Sequence, residues 1–208
     1  MPQPALMIFA KQPLPGQTKT RLLPDYSPEQ AAAIAEVMIR ETVGLAVSSW
    51  PGDIYLCGAP DTDHPLFEEL ARDFRLRLLD QTGADLGARM LAALRFGIER
   101  HGAAAVLGSD VPHCRWDVLD EANAHLAKGR NVLGPTEDGG YYLIGLTEAH
   151  DALFARMPWG GATVLEETLA RAAAIGLHFE LLSRLRDIDT AADLWLIGRG
   201  YEPLMRFL

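Results

Sequence analysis

Short apolar runs alternate along the chain with longer segments in which apolar positions recur every three or four residues. The run Ala5–Ala10 is apolar throughout and leads into a Pro/Gly segment, which is typical of a strand buried on both faces. Similar runs at 53–58, 74–79, 103–110 and 178–182 predict further strands, and two more apolar runs occupy 131–135 and 141–146.

The segments between these runs predict helices. Ser27 supplies an N-cap, Pro28 the first helical position and Gln30 the end of a capping box, so a helix is expected from there to about residue 47. Further helices are predicted at 64–73, 116–128 and about 161–175, and another follows the loop 81–87, with Met90, Leu91, Leu94 and Ile98 on one face. Strands that alternate with helices of this length imply right-handed crossovers and an α/β fold, with a mostly parallel central sheet flanked by helices on both faces.

Composition narrows the class of protein. The chain has 208 residues, 49% of them hydrophobic, and no Ser/Gly/Pro-rich linker divides it, so we expect a single domain over residues 1–208. The formal net charge of -9 argues against binding to nucleic acid or to an anionic membrane surface. The start lacks the features of a signal peptide and no apolar stretch is long enough to span a bilayer, which favours a cytoplasmic location.

Several catalytic classes lose support because their signatures are missing from the sequence. Cys57 and Cys114 lack metal-type spacing, and so do the six histidines, which argues against a zinc enzyme. No Ser or Cys stands in a recognisable nucleophile motif. The chain also lacks the Walker A loop of ATPases and the G-x-G-x-x-G fingerprint of nicotinamide-dependent dehydrogenases.

The loop that follows the first strand is rich in cations. Ligands of open α/β sheets bind beyond the carboxyl ends of the strands, so this position suits an anion. Lys11, Lys19 and Arg21 can neutralise a diphosphate, and Gly16 allows the backbone to approach it. The alternative is a solvated basic turn without a ligand.

Three acids lie at positions that suit a metal ion. Asp110 ends an apolar strand, where a carboxylate needs a cation or hydrogen-bond donors; a divalent metal and a helix cap are both compatible with it. Asp187 and Asp189 are two residues apart and share one side of the chain if the segment is extended. Thr190 and Asp193 form a capping-box pattern, so we interpret Asp193 as a helix cap.

The segment Gly134–Leu146 combines glycines, acids and tyrosines. Asp138 is a candidate base or acceptor of hydroxyl hydrogen bonds, and Gly139 and Gly140 leave room for a sugar or ring beside Tyr141. A plain hairpin turn explains the same glycines without any ligand.

Five segments, in order, together resemble one family, the bacterial DUF2064 group of the nucleotide-diphospho-sugar transferase (GT-A) superfamily. They are F-A-K-Q-P-L-P-G-Q-T-K-T-R-L from Phe9, D-L-G-A-R-M from Asp85, G-S-D-V-P from Gly108, G-P-T-E-D-G-G-Y-Y-L-I-G-L from Gly134 and D-I-D-T-A-A-D-L from Asp187. The chain is also similar to 2-phospholactate guanylyltransferases. The resemblance covers nearly the whole chain and implies a Rossmann-like GT-A fold.

The resemblance also implies functional roles. It implies a nucleoside diphosphate-sugar or a nucleoside triphosphate as donor, with Mg²⁺ or Mn²⁺ held by Asp110, Asp187 and Asp189. Lys19 and Arg21 match the phosphate-binding loop, and Ser109 and Arg89 face the same crevice. Relatives often have a hydroxyl residue after the position of Trp159, a residue of the donor or acceptor pocket, whereas this chain has Gly160 there.

Three functions follow as hypotheses. The first is glycosyl transfer from a nucleoside diphosphate-sugar to a small acceptor, with Asp110 and Asp138 as catalytic residues. The second is nucleotidyl transfer with release of pyrophosphate, and the third is a non-catalytic nucleotide-binding module. The retained acids favour an enzyme, and the missing G-G-x-x-x-R-[MF]-G-x-x-K signature of sugar nucleotidyltransferases favours glycosyl transfer.

Overall fold

The computed structural model describes residues 3–208. Its strands are β1 (Ala5–Lys11), β2 (Ile54–Ala59), β3 (Arg77–Asp80), β4 (Ala104–Gly108), β5 (Asn131–Pro135), β6 (Tyr141–Leu146) and β7 (Phe179–Leu181). Its helices are α1 (Pro28–Ser49), α2 (Pro65–Phe74), α3 (Leu86–His101), α4 (Trp116–Ala127), α5 (Val164–Ala174), α6 (Ala191–Gly198) and α7 (Glu202–Met205).

The strands form one sheet in the order β3-β2-β1-β4-β6-β5-β7. Strand β6 runs antiparallel to its neighbours β4 and β5, and the other pairs are parallel. The predicted α/β fold with a mostly parallel sheet is therefore confirmed. Because β6 lies between β4 and β5, the loop that joins β5 to β6 lies beside the carboxyl end of β4.

Helices cover both faces of the sheet. Leu6 and Ile8 of β1 point to one face and belong to a buried cluster with Val43 of α1, Phe67 of α2 and Leu119 of α4. The alternate residues of β1, Met7 and Phe9, belong to a second cluster with Leu94 of α3 and Ala172 of α5. The uniform burial of β1 follows from this two-sided packing.

Local chain signals displace two of the predicted boundaries. Strand β3 begins at Arg77 instead of residue 74, because Arg75 adopts a left-handed conformation (φ 56°) that ends α2. Helix α5 begins at Val164 instead of about 161, because the chain is still non-helical at its N-cap, Thr163 (φ -107°, ψ 3°). The capping boxes predicted at Ser27 and Thr190 are both formed.

The C-terminal segment packs against α1. Ile188, Leu194 and Leu204 are fully buried and share a cluster with Ile34 and Met38 of α1. This packing fixes the two acids that flank Ile188. Within residues 3–208, no helix has the length and apolar character needed to cross a membrane.

Candidate active site

Two adjoining cavities lie beyond the carboxyl ends of β1 and β4. The larger cavity, called the crevice here, has a volume of about 730 Å³. The candidate residues that line it are Lys11, Lys19, Arg21, Arg89, Ser109, Asp110, Tyr141 and Asp189. The basic loop and one acid of the predicted pair thus lie at one cavity, as expected for loops that follow neighbouring strands.

The smaller cavity, called the acidic pocket here, has a volume of about 180 Å³. The candidate residues that line it are Asp110, Asp138, Gly140, Tyr141, Trp159 and Asp187. Because Asp110 and Tyr141 line both cavities, the two are neighbours that share a wall.

Two candidate glycines lie outside the residues that line either cavity. Gly16 is at the exposed tip of its loop with a φ of 74°, and a Cβ there would have nothing within 4 Å. Gly139 has a φ of 92°, and a Cβ there would lie 1.9 Å from the carbonyl oxygen of Ala162. The structure therefore gives Gly16 a turn and Gly139 a close backbone contact.

Lys19 lies at the centre of the acid cluster. Its side chain is only 8% exposed, and its Nζ lies 2.8 Å from Oδ1 of Asp110 and 2.9 Å from Oδ1 of Asp189. Burial alone lowers the pKa of this ammonium, but the charges and hydrogen bonds of the two carboxylates outweigh it and raise the pKa above its usual value. Lys19 is therefore a permanent cation that joins two of the predicted metal ligands.

Three further contacts fix the segment 187–189. Lys19 Nζ donates to the carbonyl oxygen of Ile188 at 2.6 Å, and the Ile188 N–H donates to the carbonyl oxygen of Asp110 at 2.9 Å. Arg21 donates to Oδ2 of Asp189 at 3.0 Å. With the Ile188 side chain buried, Asp189 lines the crevice and Asp187 lines the acidic pocket.

The ionised form of Asp187 is disfavoured by burial and by the neighbouring negative charges. Burial first, and then the charge of Asp138, followed by those of Asp189 and Asp110, raise the pKa of Asp187 to about 6. A hydrogen bond from its own backbone N–H opposes this rise only in part, and no other described residue donates to its carboxylate. The cluster thus favours a cation beside Asp187 at neutral pH.

Asp138 is held with one oxygen free. Its Oδ1 accepts from the Thr136 hydroxyl at 2.5 Å and from the Gly140 N–H at 3.0 Å. Thr136 in turn closes the hairpin, because its N–H donates to the carbonyl oxygen of Gly140 at 3.0 Å. The turn that explained the glycines without a ligand is therefore present, and it also aims a carboxylate with a free Oδ2 at the acidic pocket.

The acids suit a hard divalent cation in chemical type. Carboxylate oxygens are the ligands that Mg²⁺ and Mn²⁺ prefer, and the mutual repulsion seen at Asp187 is what such an ion relieves. As they stand, no three His, Cys, Asp or Glu side chains in residues 3–208 are arranged to hold a metal. The Lys19 ammonium lies between Asp110 and Asp189 instead.

The sequence does not predict a role at the cavities for Gln81, Met90 or Tyr142. Gln81 lines the crevice, and its Nε2 donates to the carbonyl oxygens of Cys57 at 2.7 Å and Ala10 at 3.3 Å, which joins the ends of β2 and β1. Its place directly after a strand was a usable signal. Met90 and Tyr142 line both cavities, but their apolar setting in the sequence gives no such signal.

Comparisons with known proteins agree with this arrangement. The sequence profile of the family described as "Uncharacterized protein conserved in bacteria (DUF2064)" matches residues 42–161, a range that includes Asp110, Asp138 and Trp159. No protein of curated function matches the chain.

Three solved structures share the fold. A protein of Desulfovibrio desulfuricans G20, provisionally named a nucleotide-diphospho-sugar transferase, is 26% identical with a TM-score of 0.88, over 100% of this chain and 95% of its own. CMP:2-keto-3-deoxy-manno-octonic acid synthetase complexed with CTP is 12% identical with a TM-score of 0.59, over 99% and 100%. The Rv0371c protein of Mycobacterium tuberculosis H37Rv, complexed with manganese, is 13% identical with a TM-score of 0.57, over 95% and 99%.

Proposed function

The chain belongs to the DUF2064 family, and we propose that it is a metal-dependent transferase that uses a nucleotide-activated donor. We propose glycosyl transfer from a nucleoside diphosphate-sugar to a small acceptor. The observation that carries the proposal is the shared wall of two cavities, one lined by four cationic side chains and the other by three carboxylates.

The crevice suits the nucleoside diphosphate of the donor. Lys11, Arg21 and Arg89 have exposed or partly exposed side chains on its walls, where they can neutralise phosphate oxygens. In the reaction, the bond between the sugar's anomeric carbon and the diphosphate oxygen breaks, and these cations stabilise the charge that develops on the leaving diphosphate. The name of the D. desulfuricans protein agrees with such a donor.

The metal ligands in this proposal are Asp110, Asp187 and Asp189, with Mg²⁺ or Mn²⁺ as the ion. When bound, the ion supplies a Lewis acid that neutralises diphosphate oxygens. Asp187 contributes most to the need for an ion, because no other described residue donates to its carboxylate or forms an ion pair with it, and its pKa is raised to about 6. The manganese complex of Rv0371c supports the choice of ion.

Asp138 acts on the acceptor. Its Oδ1 is held by Thr136 and Gly140, so its Oδ2 is left to accept the hydrogen bond of an acceptor hydroxyl and then its proton. The hydroxyl oxygen forms the new bond to the anomeric carbon. Products are the glycosylated acceptor and a nucleoside diphosphate.

Nucleotidyl transfer is the second candidate, favoured by the CTP bound to the structurally similar synthetase. In that reaction the same cations stabilise pyrophosphate as it leaves the α-phosphate of a nucleoside triphosphate. The two candidates differ in the leaving group that appears in solution.

A product assay tests both candidates. The protein is mixed with Mg²⁺ or Mn²⁺, nucleoside diphosphate-sugars, nucleoside triphosphates and a metabolite extract, and the released phosphates are resolved by mass spectrometry. Nucleoside diphosphate supports glycosyl transfer, and pyrophosphate with a new nucleotide-linked metabolite supports the second candidate. Asp110→Asn should abolish either release, whereas Asp120→Asn, on the exposed face of α4, should not. Equal turnover in Asp110→Asn would contradict the metal assignment.

A further inference from the structure

The walls of the acidic pocket contain no basic side chain. The carboxylates of Asp110, Asp138 and Asp187 line it, and none of its lining residues is Lys, Arg or His. Lys19, which lies 2.8 Å from Asp110, divides its charge between Asp110 and Asp189. The crevice next to it is lined by Lys11, Lys19, Arg21 and Arg89, so the two cavities differ in the charge that they attract.

A bound divalent ion does not reverse this difference. Three carboxylates line the acidic pocket, and the two positive charges of one Mg²⁺ or Mn²⁺, with the part of the Lys19 charge that Asp110 shares with Asp189, do not exceed their three negative charges. In addition, the phosphates of a donor in the crevice would take part of the ion's charge. The acidic pocket therefore stays unfavourable for an anion during the reaction.

The other walls of the acidic pocket suit a short carbon skeleton. Apolar surface on the same lining comes from Met90, Val111, Tyr142 and Val164. The volume of about 180 Å³ equals roughly six water molecules at about 30 Å³ each. The occupant is therefore a molecule of the size of a small polyol.

The Trp159 ring forms part of this wall. Its ring lies against Gly87, where a Cβ would be 2.5 Å from Cζ2, and it contacts the rings of Phe154 and Tyr141. The ring is thereby held in place. Its Nε1 is buried against Gly87, 2.8 Å from where a Cβ of that residue would lie, so the ring supplies apolar surface to the pocket and its indole N–H can report on binding there.

We propose that the acidic pocket binds the acceptor and that this acceptor is a small hydroxyl compound without negative charge. This inference rests on the proposed transferase function and narrows its substrate class. Asp138 Oδ2 accepts from the reacting hydroxyl, and the apolar wall, which includes the Trp159 ring, holds the carbon skeleton. Acceptors that carry a phosphate or carboxylate beside the reacting hydroxyl are excluded by the three acids.

Nuclear magnetic resonance of the tryptophan indole N–H groups tests the proposal without any turnover. The chain has four tryptophans, and the signal lost in Trp159→Phe identifies Trp159. The full-length protein with Mg²⁺ is titrated with three probes on one carbon skeleton: glycerol, 3-amino-1,2-propanediol and glycerate. Trp116→Phe, a change at a side chain that is 62% exposed and outside both cavities, is the control for loss of a tryptophan.

Glycerol and its amino derivative should shift the Trp159 signal saturably, and glycerate should bind at least about tenfold more weakly because of the repulsion from the carboxylates. In Asp138→Asn, which keeps the Oδ1 acceptor for Thr136, the preference against glycerate should fall several-fold. Asp120→Asn should leave that preference unchanged. Glycerate that binds as tightly as glycerol, or a Trp159 signal that none of the probes shifts, would overturn the proposal.

The two proposals fail in different ways. If the product assay shows transfer but the Trp159 signal responds to none of the probes, the acceptor class is wrong and the transferase stands. If the neutral probes bind and no donor is turned over under any condition, the selectivity of the acidic pocket stands and the transferase function is wrong.

Discussion

Lys19 is the residue on which the geometry of the acids depends most directly. Its ammonium forms ion pairs with Asp110 and Asp189 and donates to the carbonyl oxygen of Ile188. Ile188 and Asp189 lie 169 and 170 positions further along the chain, and Asp110 follows a different strand. The sequence indicated a cation for phosphate at this position. It could not indicate the ion pairs, because they depend on how three distant loops meet.

Lys19→Gln should therefore destabilise the protein as well as reduce activity. We expect the free energy of unfolding to fall by about 1.5–3 kcal/mol, the range for hydrogen bonds to charged groups. Lys11→Gln is the matched control: Lys11 lines the same crevice but is exposed, and within residues 3–208 its ammonium hydrogen-bonds only to the Gln17 carbonyl, so its effect should stay within about 0.5 kcal/mol. Urea unfolding checks both, and equal midpoints for the two variants would contradict the central role of Lys19.

Asp187 makes stability depend on pH in an unusual direction. Its pKa is raised from 3.8 to about 6 in the folded protein. The folded state therefore binds the proton more tightly than the unfolded state does, and stability falls as the pH rises between about 4 and 6. A shift of about two units corresponds to about 3 kcal/mol at full burial. Partial exposure reduces our expectation to about 1 kcal/mol.

Asp187→Asn should remove the loss of stability that accompanies rising pH. Without divalent ions the variant should be more stable than the wild type at pH 7 and should differ less from it at pH 4. Added Mg²⁺ should stabilise the wild type more than the variant, because an ion beside Asp187 favours its charged form. Urea unfolding across this pH range, with the exposed Asp120→Asn as control, makes the comparison. If the stability of the variant followed the wild-type pH profile, the conclusion that folding disfavours the charge of Asp187 would be wrong.

At the scale of elements, the signals carried by neighbouring residues were the reliable ones. Strand β1 was evident from its apolar run, and the helix starts at Ser27 and Thr190 from their capping boxes. The predicted start of β3 was wrong, because no sequence pattern indicates the left-handed conformation of Arg75. Helix α7 was not predicted, because its burial depends on α1, far away in the chain.

The two capping boxes allow a matched experiment on the site. Thr190 caps α6 directly after Asp189, whereas Ser27 caps α1 without lining either cavity. Thr190→Ala and Ser27→Ala should each cost about 1 kcal/mol of stability. Thr190→Ala should also lower the transfer rate several-fold, because it loosens the segment that positions the two acids. Similar rates in the two variants would show that this cap has no part in positioning the acids.

At the scale of the whole molecule, the mostly parallel sheet was predictable and the strand order was not. The alternation of strands and helices was enough to predict parallel pairing with helices on both faces. The insertion of β6 between β4 and β5 depends on pairings such as Val106 with Ile144, which no local pattern records. That insertion places Asp138 beside Asp110, so the acidic pocket depends on the least predictable feature of the fold.

The charge of the molecule and the charge of its crevice oppose each other. A formal net charge of -9 repels a nucleoside diphosphate at long range, while the cations of the crevice attract it at short range. Salt screens both, but the attraction acts at contact and dominates affinity, so the Kd of GDP or UDP with Mg²⁺ should rise about tenfold between roughly 0.05 and 1 M NaCl.

Arg89→Gln should raise the Kd at low salt and flatten this dependence. Arg100→Gln, on the same helix but stacked over Phe96 outside both cavities, should keep the wild-type slope in isothermal titration calorimetry. If the Arg89 and Arg100 variants gave the same slope, the diphosphate would have to lie away from Arg89, and the placement of the donor in the crevice would be wrong.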